Sequence, residues 1–158
     1  MFTRKGIPMT KIFIFFLLGL VLLGCAENTT LTRGEELANR KFYQERSPQR
    51  VKTHLLENGA YTFEYVWAGV KGSSVLGVVD EVLKRDVHQL IKSRCDFDKS
   101  DLQETYIVEH KHPFFYEVWV YHDPKSKRKD KTTGLSLILE FPTTGGTDIN
   151  IVSHCTKG

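Results

Sequence analysis

The sequence predicts an α+β fold: an antiparallel β-sheet with one long helix packed on it, preceded by a short N-terminal helix. Three observations lead there. Beyond residue 100 the chain is almost entirely strand-like, in alternating or aromatic runs punctuated by Pro and Gly. One stretch, from Val75 to about Arg94, carries a clean helical stripe. Helices and strands do not alternate along the chain, as a parallel sheet with helical crossovers would require.

The elements follow in order. Thr32-x-x-Glu35 has the form of a capping box, opening a helix from Arg33 to about Arg46 that stops at Ser47-Pro48. Its apolar side is thin (Leu37, Ala38, Phe42, Tyr43), which puts it on the surface against a sheet edge or face. Asn58-Gly59 between two strand-like runs signals a hairpin. In the second run Tyr61, Phe63, Tyr65 and Trp67 share one face by period two, and that aromatic face is assigned to the core. GVKGSS lacks the spacing of a phosphate-binding loop and reads as a turn, with Ser73 or Ser74 as a helix N-cap.

The long helix places Leu76, Val79, Leu83, Val87, Leu90 and Ile91 on one stripe, and Cys95 continues it. Lys92 and Arg94 suit the negative end of its dipole. Strands are expected over residues 104–111, 114–122, 135–141 and 148–155, with His112-Pro113 breaking the first two apart. Cys155 shares its strand face with Ile149 and Ile151, so Cys95 and Cys155 both point inward. Two such cysteines without the close spacing of a redox or zinc motif predict a disulfide. A bridge closing about 60 residues contributes roughly 4 kcal/mol in the chain-entropy model.

The opening of the chain has a different character. Arg4, Lys5 and Lys11 precede an unbroken apolar run from Ile12 to Leu23. As a helix that run spans only about 18 Å, against a bilayer core of about 30 Å. It matches a secretory signal better than a membrane span. Leu22-Leu23-Gly24-Cys25 resembles the lipobox of bacterial lipoproteins. The resemblance covers the first 25 residues and implies that residues 1–24 are removed and that Cys25 is acylated. It further implies attachment to a membrane through that lipid. With alanine at position 26, it points to the outer membrane of a Gram-negative-type envelope, facing the periplasm. Residues 25–32 then form the acylated cysteine and a tether, and residues 33–158 one globular domain. The tether, Ala26 to about Leu31, reaches about 20 Å when extended.

Removal of the leader changes the electrostatics. The formal net charge is +3, and all of that excess resides in Arg4, Lys5 and Lys11. The remainder carries 19 basic and 19 acidic residues. A nucleic-acid partner therefore loses its electrostatic basis.

Within the domain, the strongest local charge is the stretch between Asp123 and Gly134. Lys125, Lys127, Arg128, Lys129 and Lys131 are offset only by Asp123 and Asp130, a local +3. Such a loop either keeps a strand end soluble or steers an anionic partner. The adjoining strand FFYEVWVY carries apolar residues on both faces. That pattern fits a central strand covered on both sides, or an aromatic surface in which Tyr116, Trp119 and Tyr121 anchor a protein partner. The hairpin joining this strand to the basic tip is the candidate working surface.

Other chemistry finds little footing. His110 and His112 share a strand face, and His54, His122 and His154 also fall in predicted strands, but no third-ligand spacing or HExxH motif accompanies them. No G-x-S-x-G motif occurs, and CDFDKSD lacks calcium-loop spacing. No metal, cofactor or catalytic residue is expected. The expectation is a non-enzymatic protein-binding module of the cell envelope, either an assembly or secretion subunit or an inhibitor or immunity protein. The alternative is a small envelope hydrolase.

Overall fold

A computed structural model of the chain describes residues 33–79, 81–152 and 155; the expected leader, lipid-attachment residue Cys25, tether and capping residue Thr32 lie outside them. The fold is α+β. Helix α1 covers residues 33–44. Strands β1 (Gln49–Leu55) and β2 (Tyr61–Trp67) form a hairpin, and β3 is the short Val70–Lys71. Helices α2 (Leu76–Val79) and α3 (Glu81–Cys95) follow, with position 80 between them outside the described residues. A 3-10 turn at Lys99–Asp101 leads into β4 (Leu102–Lys111), β5 (Phe114–His122), β6 (Thr132–Glu140) and β7 (Asp148–Val152).

Two differences from the expected architecture stand out. The strands form two antiparallel sheets instead of one: a meander in the order β3-β4-β5-β6-β7, and the separate β1-β2 hairpin. Gly69 makes the split possible. Its φ is +94°, and a Cβ there would sit 2.3 Å from the carbonyl oxygen of Ile107. Only glycine lets the chain leave the hairpin and come this close to β4. The second difference is in the helices, which are short. The stripe expected on one long helix is divided between four-residue α2 and fifteen-residue α3. Asp96, at φ 62°, ends α3 in a left-handed cap and donates its N–H to the Lys92 carbonyl.

The meander is covered on both faces. On one, Leu76, Val87, Ile91 and Cys95 meet Trp119 and Tyr121 of β5 and Leu135, Leu137 and Leu139 of β6. Cys95 and Cys155 form the expected disulfide, joining the end of α3 to the chain beyond β7. On the other face Tyr116, Val118 and Val120 meet Ala68, with Trp67, Tyr106, Val108 and Ile138 around them. This is the period-two division expected for β5, whose two apolar faces fill two separate core clusters.

Helix α1 lies along the outer edge of β1, held by side chains that reach its backbone. The Asn39 amide donates to the Val51 carbonyl at 2.9 Å and accepts from the Val51 N–H at 2.8 Å. Glu35 accepts from the Thr53 N–H at 3.0 Å and from the Thr53 hydroxyl. The spacing follows from geometry: four helical residues rise about 6 Å, and two strand residues advance about 6.6 Å. The Thr53 hydrogen bonds hold the Glu35 carboxyl below the usual carboxylate range.

Candidate functional site

The β5–β6 loop is not a loose solvated tip. The Lys125 N–H donates to the Asp123 carboxylate at 2.9 Å, and the Ser126 hydroxyl donates to the Thr132 carbonyl at 2.7 Å. The Thr133 hydroxyl donates to Asp123 at 2.6 Å, and the Lys131 ammonium to the Ser126 carbonyl at 3.1 Å. The Arg128 guanidinium binds Asp130 at 3.1 Å, which holds the Asp130 carboxyl below its usual range. Lys125, Lys127 and Lys129 are exposed, and their ammonium groups have no partner among the described residues. The loop therefore presents three free cations from a fixed backbone.

Arg128 ties this loop to the hairpin. Its guanidinium carbon lies 4.3 Å from the centre of the Trp67 ring, a stacked cation–π contact. Trp67 also rests on β6 at Gly134, where a Cβ would come within 2.4 Å of the indole. Glycine at 134 thus makes the seat for the indole. Nearby, Arg46 closes the end of α1 with its guanidinium 5.0 Å from the Tyr43 ring and 5.4 Å from the Tyr116 ring. A groove of about 380 Å³ lies between these parts, lined by Arg46, Gln49, Trp67, Lys127, Arg128 and Thr133 among others.

The aromatic half of the expected surface is corrected. Tyr116, Trp119 and Tyr121 are 3%, 1% and 0% exposed. They serve as core because β5 is the middle strand of the meander, with α2 and α3 on one side and the base of the hairpin on the other. The Tyr116 hydroxyl donates to the Ser47 carbonyl at 2.6 Å, fastening the end of α1 to the sheet. Burial pushes the Tyr116 and Tyr121 hydroxyls up, a direction in keeping with structural roles.

Conversely, the β2 face assigned to the core is largely open. Phe63 is 65% and Tyr65 55% exposed, with Leu55 at 63% and Leu56 at 44% beside them. Trp67, at the base, packs against the meander, and Tyr61 is half-buried.

Glu117 was hidden in the aromatic run. It is fully buried beneath the start of α2. The Val75 N–H donates to one carboxylate oxygen at 2.7 Å, and His110 Nε2 lies 2.9 Å from the same oxygen. The Trp119 indole N–H donates to the other at 2.8 Å. A buried carboxylate requires such partners. The signal in the sequence is a single acid inside FFYEVWVY, which is too costly to bury without a purpose. Its partners bind β4, β5 and the loop before α2 to one point, so the group acts as a structural clasp.

The histidines do not assemble. Among the described residues no group of three metal-binding side chains occurs. His110 is held by Glu117, and His54 lies 2.9 Å from Glu64 across the hairpin. His88 is 9% exposed and tilts against Trp119 with 5.1 Å between ring centres. Its Nε2 is buried without a partner among the described residues. Burial, helped by Lys99 and Lys84, lowers its pKa below the ordinary imidazole value. Predicted strand residue His154 lies outside the described residues.

No protein-family model, curated protein or solved structure matches the chain.

Proposed function

We propose that this chain is a lipid-anchored envelope protein that faces the periplasm and binds an acidic protein partner through the β5–β6 loop, without catalysing a reaction. It serves either as an assembly subunit or as an inhibitor of a toxin or hydrolase. Leu22-Leu23-Gly24-Cys25 supports the anchor. With Cys95 and Cys155 joined to each other, Cys25 is the one cysteine of the sequence left for attachment.

The observation that carries the binding role is the fixed loop with Lys125, Lys127 and Lys129 unpaired upon it. Loose surface lysines lose rotamer freedom when they bind, and a loop already folded by its own hydrogen bonds reduces the ordering cost. Arg128 is committed to Trp67 and Asp130, so it shapes the surface, and the three lysines give it charge. Steering by such a patch favours an acidic partner and sets its orientation.

The acylated chain, purified from detergent-solubilised envelopes, is the bait that tests this. Like-charge juxtaposition costs several kcal/mol, so Lys125→Glu, Lys127→Glu and Lys129→Glu together reduce recovery of the partner by more than about tenfold. Unchanged recovery overturns the loop as the binding surface. Mass measurement of the bait checks the anchor separately: Cys25→Ser abolishes the acylated form, and an unmodified Cys25 in the parent chain overturns it.

A further inference from the structure

We infer that the apolar face of the β1–β2 hairpin rests on the phospholipid bilayer to which the chain is anchored, an inference that builds on the acylation of Cys25. The pattern of exposure comes first. Leu55, Phe63 and Tyr65 share one face of the hairpin with Val51 and Thr53, since Leu55 pairs with Tyr61, Thr53 with Phe63 and Val51 with Tyr65. Leu56 continues the patch into the turn. The opposite face carries Lys52, His54, Thr62 and Glu64. The hairpin is thus amphipathic: Leu55, Phe63 and Tyr65 are exposed on its aromatic side, where Tyr61 is half-buried, and Lys52, Thr62 and Glu64 are exposed on the other. Aromatic side chains favour the membrane–water boundary, where the ring is apolar and the polar tip stays wet.

The direction of the chain supplies the second part. Glu35 meets Thr53 and Asn39 meets Val51, so α1 runs antiparallel to β1. Residue 33 therefore lies at the level of Thr53 to Leu55, beside the hairpin turn and away from the base at Trp67. Eight residue steps separate Cys25 from residue 33, a reach of at most about 28 Å. An acylated Cys25 brings this end of the molecule to the bilayer. The uncovered aromatic face and the point of attachment share one end.

The same geometry orients the rest. Trp67 stands six residues from Tyr61 along β2, about 20 Å away. The basic loop stacks on Trp67 through Arg128. The free lysines therefore project from the end remote from the bilayer, where a periplasmic partner has access.

Phe63→Cys in the full chain, labelled with the fluorophore NBD, tests the contact directly. Acylation consumes the Cys25 thiol and the disulfide consumes two more, so position 63 is the one thiol available. The labelled protein is reconstituted into vesicles of phosphatidylethanolamine and phosphatidylglycerol, and Lys127→Cys serves as the comparison site. The expected result is a blue-shifted, brighter emission at position 63, quenched several-fold more strongly by spin-labelled lipid than at position 127. Equal or absent quenching at position 63, with Cys25 acylated by mass, overturns the hairpin contact and leaves the anchor intact. Cross-linking of two copies through position 63 in the vesicles assigns the face to a second copy and overturns the inference. A chain unacylated at Cys25 overturns both the anchor and the contact that rests on it.

Discussion

Trp67 and Phe63 lie on the same strand and the same face, four residues apart, and have opposite surroundings. Trp67 is half-buried, in contact with Arg128 and with β6 at Gly134. Phe63 is 65% exposed. The meander covers the base of the hairpin at Trp67 and Ala68, and Glu35 and Asn39 hold the edge of β1. Strand periodicity determines which side a residue takes. It carries no information about how far the opposing layer extends.

The largest test of this contrast breaks the enclosed region at its buried charge. Glu117→Ala leaves the Val75 and Trp119 N–H groups buried without an acceptor and separates His110 from its partner. Two donors left unpaired at about 1–3 kcal/mol each make an expected loss of about 2–6 kcal/mol. Urea unfolding followed by tryptophan fluorescence measures it. A cost below about 1 kcal/mol, within the range of an ordinary surface substitution, shows that water enters and takes over the three bonds. In that case the meander is less sealed than the burial of Glu117 implies.

A smaller effect belongs to the junction. Gly134→Val places branched carbon where the Trp67 indole now rests, and overpacking of this kind costs about 1–3 kcal/mol. The indole must move, and Arg128 loses its stacking surface. The variant is expected to shift Trp67 emission and to weaken partner recovery, although no loop lysine is altered. Trp67→Ala made alongside relieves the clash, so the pair of substitutions costs less than the sum of the two made singly. Additive costs refute the contact as the cause.

The parts of the fold legible in the sequence are those governed by local pattern. The alternation Leu135, Leu137, Leu139 marked the buried face of β6, and the spacing Val87, Ile91, Cys95 marked the inward side of α3. Cys95 continues the α3 spacing and is joined to Cys155 as expected, although the strand expected over residues 148–155 ends at Val152 and Cys155 lies beyond it. The illegible parts depend on residues distant in sequence. That Gly69 divides the sheet follows from its approach to Ile107, and that Gly134 seats Trp67 follows from a contact between segments 67 residues apart. For the candidate surface, the basic loop was legible as charge. Its rigidity was not, because that comes from hydrogen bonds spread from Asp123 to Thr133. The β5 aromatics permitted two readings, and burial decides for the core.

The smallest expected effect lies at the open end. Phe63→Thr and Tyr65→Thr retain a residue suited to strands, so they remove the aromatic surface with little loss of strand propensity. Substitutions at exposed positions change stability by less than about 0.5 kcal/mol, and these two are expected to fall within that range in urea unfolding of the protein in detergent. A cost above about 2 kcal/mol at either position means that the ring is enclosed in the protein as it exists in solution, because large values of this kind come from buried packing. The cost would then depend on protein concentration if a second copy provided the cover, and be independent of it if the cover came from the same chain. A near-zero cost together with weaker lipid quenching of NBD carried at Leu55→Cys, on the same face, separates the two roles of the strand: Trp67 contributes to the stability of the fold, while Phe63 and Tyr65, four and two residues before it, contribute to where the fold sits.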